Sequence, residues 1–209
     1  MTTDHYNFRF RECAEALAEA FADDPFYETL STGFPDGSRK QDLLLTYLDF
    51  SLSEARDYGE LFMIDSGASG ASVWLKPQAA DIAATQKQSK VDFFEAHLGK
   101  SALDTYNRIV DFMSKSVQGV VDENAWYLSI LGVAPRAQGR GLGKKLVEEV
   151  LALSDAQGHP TYLETFAPDN ERFYNRFGYR RVGKFFEPTI GADYLVMSRG
   201  INGNAESGS

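Results

Sequence analysis

The chain has 209 residues, 43% of them hydrophobic and 13% aromatic, which suits one domain with a substantial core and excludes a disordered polymer. Its net charge of −9 argues against a nucleic-acid surface, which needs clustered Lys and Arg, and no run approaches the roughly 18 apolar residues of a membrane span. The single cysteine, Cys13, excludes an internal disulfide and fits a reducing cytoplasm, and the three scattered histidines offer no metal-ligand spacing, so no metal is expected.

The opening residues, Met1 to His5, lack the basic and apolar regions of a signal peptide. Cys13 to Phe21 reads as helix by its alanine, leucine and glutamate content, and Pro25 sets a stop beyond it. A second helix is predicted from Lys40 to Ala55, with Leu43, Leu44, Tyr47, Leu48 and Leu52 on one face. Two strand-like runs, 60–64 and 71–75, flank the turn-forming segment 65–70 and predict a hairpin. The stretch 77–124 carries helical patterns and is expected to be a helical insertion ahead of the next strand.

That strand, Trp126 to Val133, is an apolar and mostly β-forming run. A Pro- and Gly-rich loop, 134–143, follows it, and then a helix with Leu142, Leu146, Val147, Val150 and Leu151 at helical spacing, stopping near Gly158. A strand at 161–166, a short helix near 171–176 and strands near 181–186 and 193–198 complete the order. Strand, helix and strand alternating in this way predict a mixed α/β (α+β) sheet with helices on its faces. The polar tail 201–209 is expected to lie outside the fold as a disordered end.

The segment Gln138-Gly139-Arg140-Gly141-Leu142-Gly143 joins a buried strand to an amphipathic helix. Its glycines allow sharp turns and close backbone approach, and the helix start offers unpaired N–H groups to a phosphate. Arg136, Arg140, Lys144 and Lys145 stand around it, with no acidic residue between Glu123 and Glu148. The glycine spacing does not match a dinucleotide fingerprint, and Gly143-Lys144 is followed by Lys145 rather than the Ser or Thr of a Walker loop.

The loop resembles the Gln/Arg-x-x-Gly-x-Gly/Ala signature of the GNAT superfamily of N-acetyltransferases. The preceding Leu131-Gly132-Val133-Ala134-Pro135 and the downstream run from Asn170 through Phe173-Tyr174 to Gly178-Tyr179 are similar to family segments as well. Ala20 to Pro25 and Val73 to Pro77 also look like the small-molecule branch containing puromycin-type acetyltransferases. The resemblance implies a mostly antiparallel central sheet and acetyl-CoA as acetyl donor, with the binding part over 126–198. It carries over Gln138, Gly139, Arg140, Gly141, Leu142, Gly143 and Lys144 to the phosphates. Leu131 and Val133 would offer backbone to the thioester and pantetheine arm, with Gly132 easing a bulge or simply packing tightly, and Asn170 would contact the arm or act as a helix N-cap.

The same resemblance places Tyr174 as proton donor to the departing thiolate; without it, Phe173 and Tyr174 read as core residues of a helix. A phenol, with an ordinary pKa of about 10, holds its proton more tightly than a thiol near 8.5 and so remains available as a donor. Glu164, a carboxylate in an otherwise apolar strand, is either a general base or an outward-facing residue, with Asp24, Glu28 and Ser129 as weaker alternatives. Acceptor selection falls in this family to the first helices and the loop between them, which directs attention to Phe26, Tyr27 and Glu28. The expected acceptor is a small-molecule primary amine attacked directly in a ternary complex. A protein or peptide amine and a non-catalytic acyl-CoA-binding module are the alternatives, and a C-terminal strand edge suggests a possible homodimer.

Overall fold

The structure, a computed structural model, describes residues 6–37 and 39–203. The residues read as a signal-free start, 1–5, lie outside the described residues, as does most of the polar tail; within that tail, Ile201–Gly203 forms a single helical turn whose Asn202 N–H donates to Asp155 Oδ1 at 2.7 Å.

Three helices lead the chain: α1 (Arg11–Ala20), α2 (Pro25–Ser31) and α3 (Lys40–Tyr58). The α2 helix corrects the expectation of a loop around Phe26. Pro25 ends one helical pattern but also starts another, because it occupies the first helical turn while Asp24 Oδ1 caps it by accepting from Phe26 N–H at 2.9 Å. The predicted hairpin follows as β1 (Glu60–Ile64) and β2 (Gly70–Leu75). Next come α4 (Ala80–Phe93), a π-helical turn (Phe94–Leu98) and α5 (Lys100–Val117), so the insertion is helical as expected. Then follow β3 (Trp126–Val133), α6 (Leu142–Gln157), β4 (Thr161–Thr165), α7 (Glu171–Asn175), β5 (Arg180–Glu187) and β6 (Ala192–Arg199).

The six strands form one sheet in the order β1-β2-β3-β4-β6-β5. Every neighbouring pair is antiparallel except β3 and β4. Strand alternation divides the core into two layers. On one face Trp74, Trp126, Leu128, Leu163 and Met197 pack with Val147, Val150 and Leu151 of α6. Here Ser72 Oγ bonds the Leu146 carbonyl at 2.8 Å and accepts from Trp74 Nε1 at 3.0 Å. On the other face Ala71, Val73 and Ile130 meet α1, α3 and the insertion helices.

Leu128 and Ile130 are two residues apart yet belong to opposite layers, which a regular strand forbids. A bulge resolves the conflict. Leu128 pairs with Trp74 and Ile130 with Val73, so Ser129 is the extra residue without a partner across the ladder. The bulge thus sits at Ser129 rather than Gly132. Gly132 answers to packing instead, since a Cβ there would lie 2.5 Å from Leu17 Cδ2.

Candidate active site

The parallel pairing of β3 with β4 is short. It joins Trp126–Thr161, Tyr127–Tyr162 and Leu128–Leu163, and then stops at the bulge. Beyond it β3 continues along β2 to Val133 and β4 continues along β6 to Thr165. The two strands therefore part, and a cavity of about 370 Å³ opens on the α3–α5 face. Ser129 and Leu131 from one strand, Glu164 and Thr165 from the other, and Asn170 and Tyr174 from the α7 segment all line it.

Glu164 and Tyr162 are two apart on β4 and face away from Leu163, which is buried against α6. Tyr127 stacks on Tyr162 with ring centroids 4.7 Å apart, giving the carboxyl an aromatic floor. Glu164 Oε1 is buried without a hydrogen-bond partner. Burial raises its carboxyl to about 7, with the nearby Tyr127 hydroxyl acting in the opposite sense. Burial also pushes the Tyr174 hydroxyl well above the ordinary phenol value, so it remains protonated. Tyr174 is held edge-on by Phe173 at 5.1 Å and by Tyr179 at 5.9 Å. Asn170 flanks α7 at its N-cap position but makes no side-chain capping bond, which leaves its amide to the cavity.

The glycine loop lies beside this cavity. Gly139 and Gly141 have φ of +75° and +77°, a region costly for other residues, and a Cβ at either would meet nothing within 4 Å. Gly141 starts α6 with no side-chain cap, so the N–H groups of Leu142, Gly143 and Lys144 point outward without helical partners. At Gly143 an added Cβ would make only an ordinary contact, 3.5 Å from the Phe173 ring.

The side chains of this region divide by role. Gln138 Nε2 donates to the Val133 carbonyl at 3.0 Å and pins the loop to the strand end. Arg136 is engaged by Glu19 and the Ala68 carbonyl, Lys144 pairs loosely with Glu148 at 3.5 Å, and Arg140 is exposed beside the glycines. Leu142 packs on Ala16, Ala134 and Ala137. Val133 packs in the same cluster.

Phe26 and Tyr27 line the cavity with rings at right angles and centroids 5.2 Å apart. Glu28, the third residue singled out there, is exposed on α2 and outside the cavity lining; a helix turns successive side chains by about 100°, so Phe26 and Tyr27 face inward and Glu28 does not. Asp24 does reach the cavity. Burial raises its carboxyl, and the N–H groups of Phe26 and Tyr27 act against that rise.

The sequence reading missed the part built by the insertion. Tyr47 and Glu54 from α3, Lys90 from α4 and Tyr106 from α5 line the same cavity. Lys90 Nζ lies 2.7 Å from Glu54 Oε2 and 3.4 Å from the Tyr106 hydroxyl. Burial works against its ammonium, but the Glu54 carboxylate beside it acts in the opposite sense and keeps it protonated. Only the π-helical turn after Lys90 and the aromatic content of 93–106 hinted at function in this stretch.

A splayed sheet, an uncapped glycine helix start beside it and a titratable cavity across from it make up the candidate site. Comparison with known proteins points the same way. Residues 101–181 match the model of the acetyltransferase (GNAT) domain. An uncharacterised N-acetyltransferase of Schizosaccharomyces pombe is 26% identical over 175 residues, covering 81% of this chain and 70% of that one. Residues 101–181 are thus similar to a GNAT acetyltransferase domain, and the chain is an acyltransferase.

Solved structures share the fold. A Corynebacterium glutamicum protein described as histone acetyltransferase HPA2 and related acetyltransferase aligns with a TM-score of 0.61 at 20% identity, over 95% of this chain and 93% of that one. Arylalkylamine N-acetyltransferase 2 of Aedes aegypti aligns with a TM-score of 0.61 at 15% identity, over 92% and 94%. The Drosophila melanogaster polyamine N-acetyltransferase aligns at 0.58 and 14%, over 91% and 93%.

Proposed function

We propose that this protein transfers the acetyl group of acetyl-CoA to a primary amine of a small molecule, by direct attack in a ternary complex. The observation that carries the reading is the placement of Glu164. A buried carboxyl with an unpaired oxygen, titrating at about 7, stands where β3 and β4 part and shares one cavity with Tyr174 and Asn170. A base with that pKa is matched to neutral pH.

The chain's own groups fit the donor. The N–H groups of Leu142, Gly143 and Lys144, the open space over Gly139 and Gly141 and the exposed Arg140 suit its phosphates. The ends of Leu131 and Val133, left without a β4 partner, suit the pantetheine arm and the acyl oxygen, and Asn170 suits the arm from the other side. Glu164 takes the proton from the attacking amine, directly or through water. Tyr174, kept protonated by burial, supplies a proton to the sulfur as the carbon–sulfur bond breaks and the amide bond forms.

The acceptor occupies the part of the cavity walled by α2, α3 and α5, where Phe26 and Tyr27 stand. A cavity of about 370 Å³ suits a small molecule better than a peptide. The acceptors named for two of the fold neighbours, arylalkylamine and polyamine, are small amines of the same kind. A buried free thiol at Cys13 suits the reducing cytoplasm. The test is release of CoA thiol from acetyl-CoA across amines of several classes, wild type against Glu164→Gln. Release with small amines that falls on the substitution supports the reading, and folded protein that releases thiol with none of them refutes it.

A further inference from the structure

The insertion builds a feature that the transfer chemistry does not use. Glu54 and Lys90 form an ion pair, both side chains at most 18% exposed, on the wall of the acceptor cavity. As a structural device such a pair is weak, because desolvation cancels most of the attraction between its charges. Its hydrogen-bonding capacity is not exhausted. An ammonium has three donors, and here two are directed, to Glu54 Oε2 and to the Tyr106 hydroxyl; a carboxylate has several acceptor sites, and Lys90 takes one.

The charge of the pair decides what it selects. A second ammonium on the acceptor meets Lys90, and a carboxylate meets Glu54. A neutral group that both donates and accepts, such as a hydroxyl, satisfies both partners at once. The surroundings decide what carries that group. Tyr47 and Tyr106 stand at 6.3 Å between ring centroids beside the pair, and Tyr127 and Tyr162 stack at 4.7 Å toward Glu164. Glu54 lies on the helix packed over β2, whereas Glu164 is on β4. Both carboxylates face one cavity, Glu54 from the helix side and Glu164 from the sheet, with the aromatic rings between them.

We propose that the Glu54–Lys90 pair is a specificity site that binds a ring hydroxyl of the acceptor, so that the preferred acceptors are phenolic arylalkylamines. The hydroxyl donates to Glu54 and accepts from Lys90, while the amine at the other end of the molecule reaches Glu164. This rests on the acceptor cavity assigned above, but it makes a claim about binding that stands whether or not transfer follows.

Titration calorimetry of the whole chain saturated with CoA tests it, using tyramine, phenethylamine, 4-methoxyphenethylamine and 1,5-diaminopentane as probes. A site built to hydrogen-bond a hydroxyl rejects analogues that lack it. Tyramine is expected to bind at least tenfold tighter than the other three. Glu54→Gln is expected to shrink that preference to about threefold or less. The double variant Glu54→Leu with Lys90→Met, which leaves no unpaired buried charge, is expected to abolish it. Equal affinity for tyramine and phenethylamine overturns the proposal, as does tighter binding of the diamine, an undiminished preference in a folded double variant, or no binding of any probe. A tyramine preference accompanied by no thiol release from acetyl-CoA supports the specificity site and overturns the transfer reading instead.

Discussion

Glu164→Gln separates the energetic role of this carboxyl from its chemical one. The carboxyl rises from an ordinary 4.5 to about 7 because burial disfavours its anion. At 1.36 kcal/mol per pKa unit this corresponds to about 3 kcal/mol. The sign follows from the direction of the rise. Between pH 4.5 and 7 the folded protein binds a proton that the unfolded chain has released, so this contribution is fully present below 4.5 and is lost as pH passes through about 7. Glutamine keeps the shape and cannot ionise.

The variant should therefore gain on wild type by about 3 kcal/mol between pH 5 and pH 8. For a chain of this size that is a relative rise of roughly 6–12 °C in melting temperature. Thermal melts of both proteins at the two pH values measure it, and titrations common to both cancel in the comparison. In the same variant, kcat/KM with the best amine should fall by about 10²–10⁴, and the rise of the wild-type profile through about pH 7 should flatten. A stability difference between the proteins that is the same at pH 5 and pH 8 would refute the burial argument, and an unchanged pH–rate profile would remove Glu164 as the base.

Three further outcomes are expected. Tyr174→Phe should lower kcat by about 10²-fold while acetyl-CoA affinity by calorimetry stays within about twofold, because the hydroxyl is needed for proton transfer and not for binding. Gly141→Ala should weaken acetyl-CoA binding roughly 5- to 30-fold, since a left-handed backbone costs a Cβ-bearing residue about 1–2 kcal/mol and relaxing it re-aims the first N–H groups of α6; unchanged affinity would show that the loop does not hold the phosphates. Asp49→Ala should destabilise the protein by roughly 2–5 kcal/mol in urea titration. Its buried carboxylate accepts from Tyr6 Oη at 2.8 Å and from the N–H groups of Arg9 at 3.1 Å and Phe10 at 2.5 Å, tying the start of the described chain to α3, and removal leaves all three donors unpaired.

The elements and the glycine loop were legible in the residues, because both depend on short-range physics. Alternation marks a strand such as 161–165, apolar spacing marks the face of α6, and glycines at 139 and 141 mark backbone that other residues strain to adopt. The helix at 25–31 was equally local and was missed because Pro25 was weighed as a stop and not also as a first-turn residue behind the Asp24 cap. Position of the bulge belongs to another level. Gly132 offered the flexibility, but the register between β2 and β3 is set by which side chains each layer must bury, and that placed the extra residue at Ser129.

Glu164 could be flagged as unusual in its strand, yet its pKa depends on Tyr127, Tyr162 and the helices above them, distant in the chain and adjacent in space. The exposure of Glu28 and the meeting of Glu54 with Lys90 are of the same kind. The periodicity of a helix tells which residues share a face, but not what that face meets, because burial and pairing arise only when separate elements pack together.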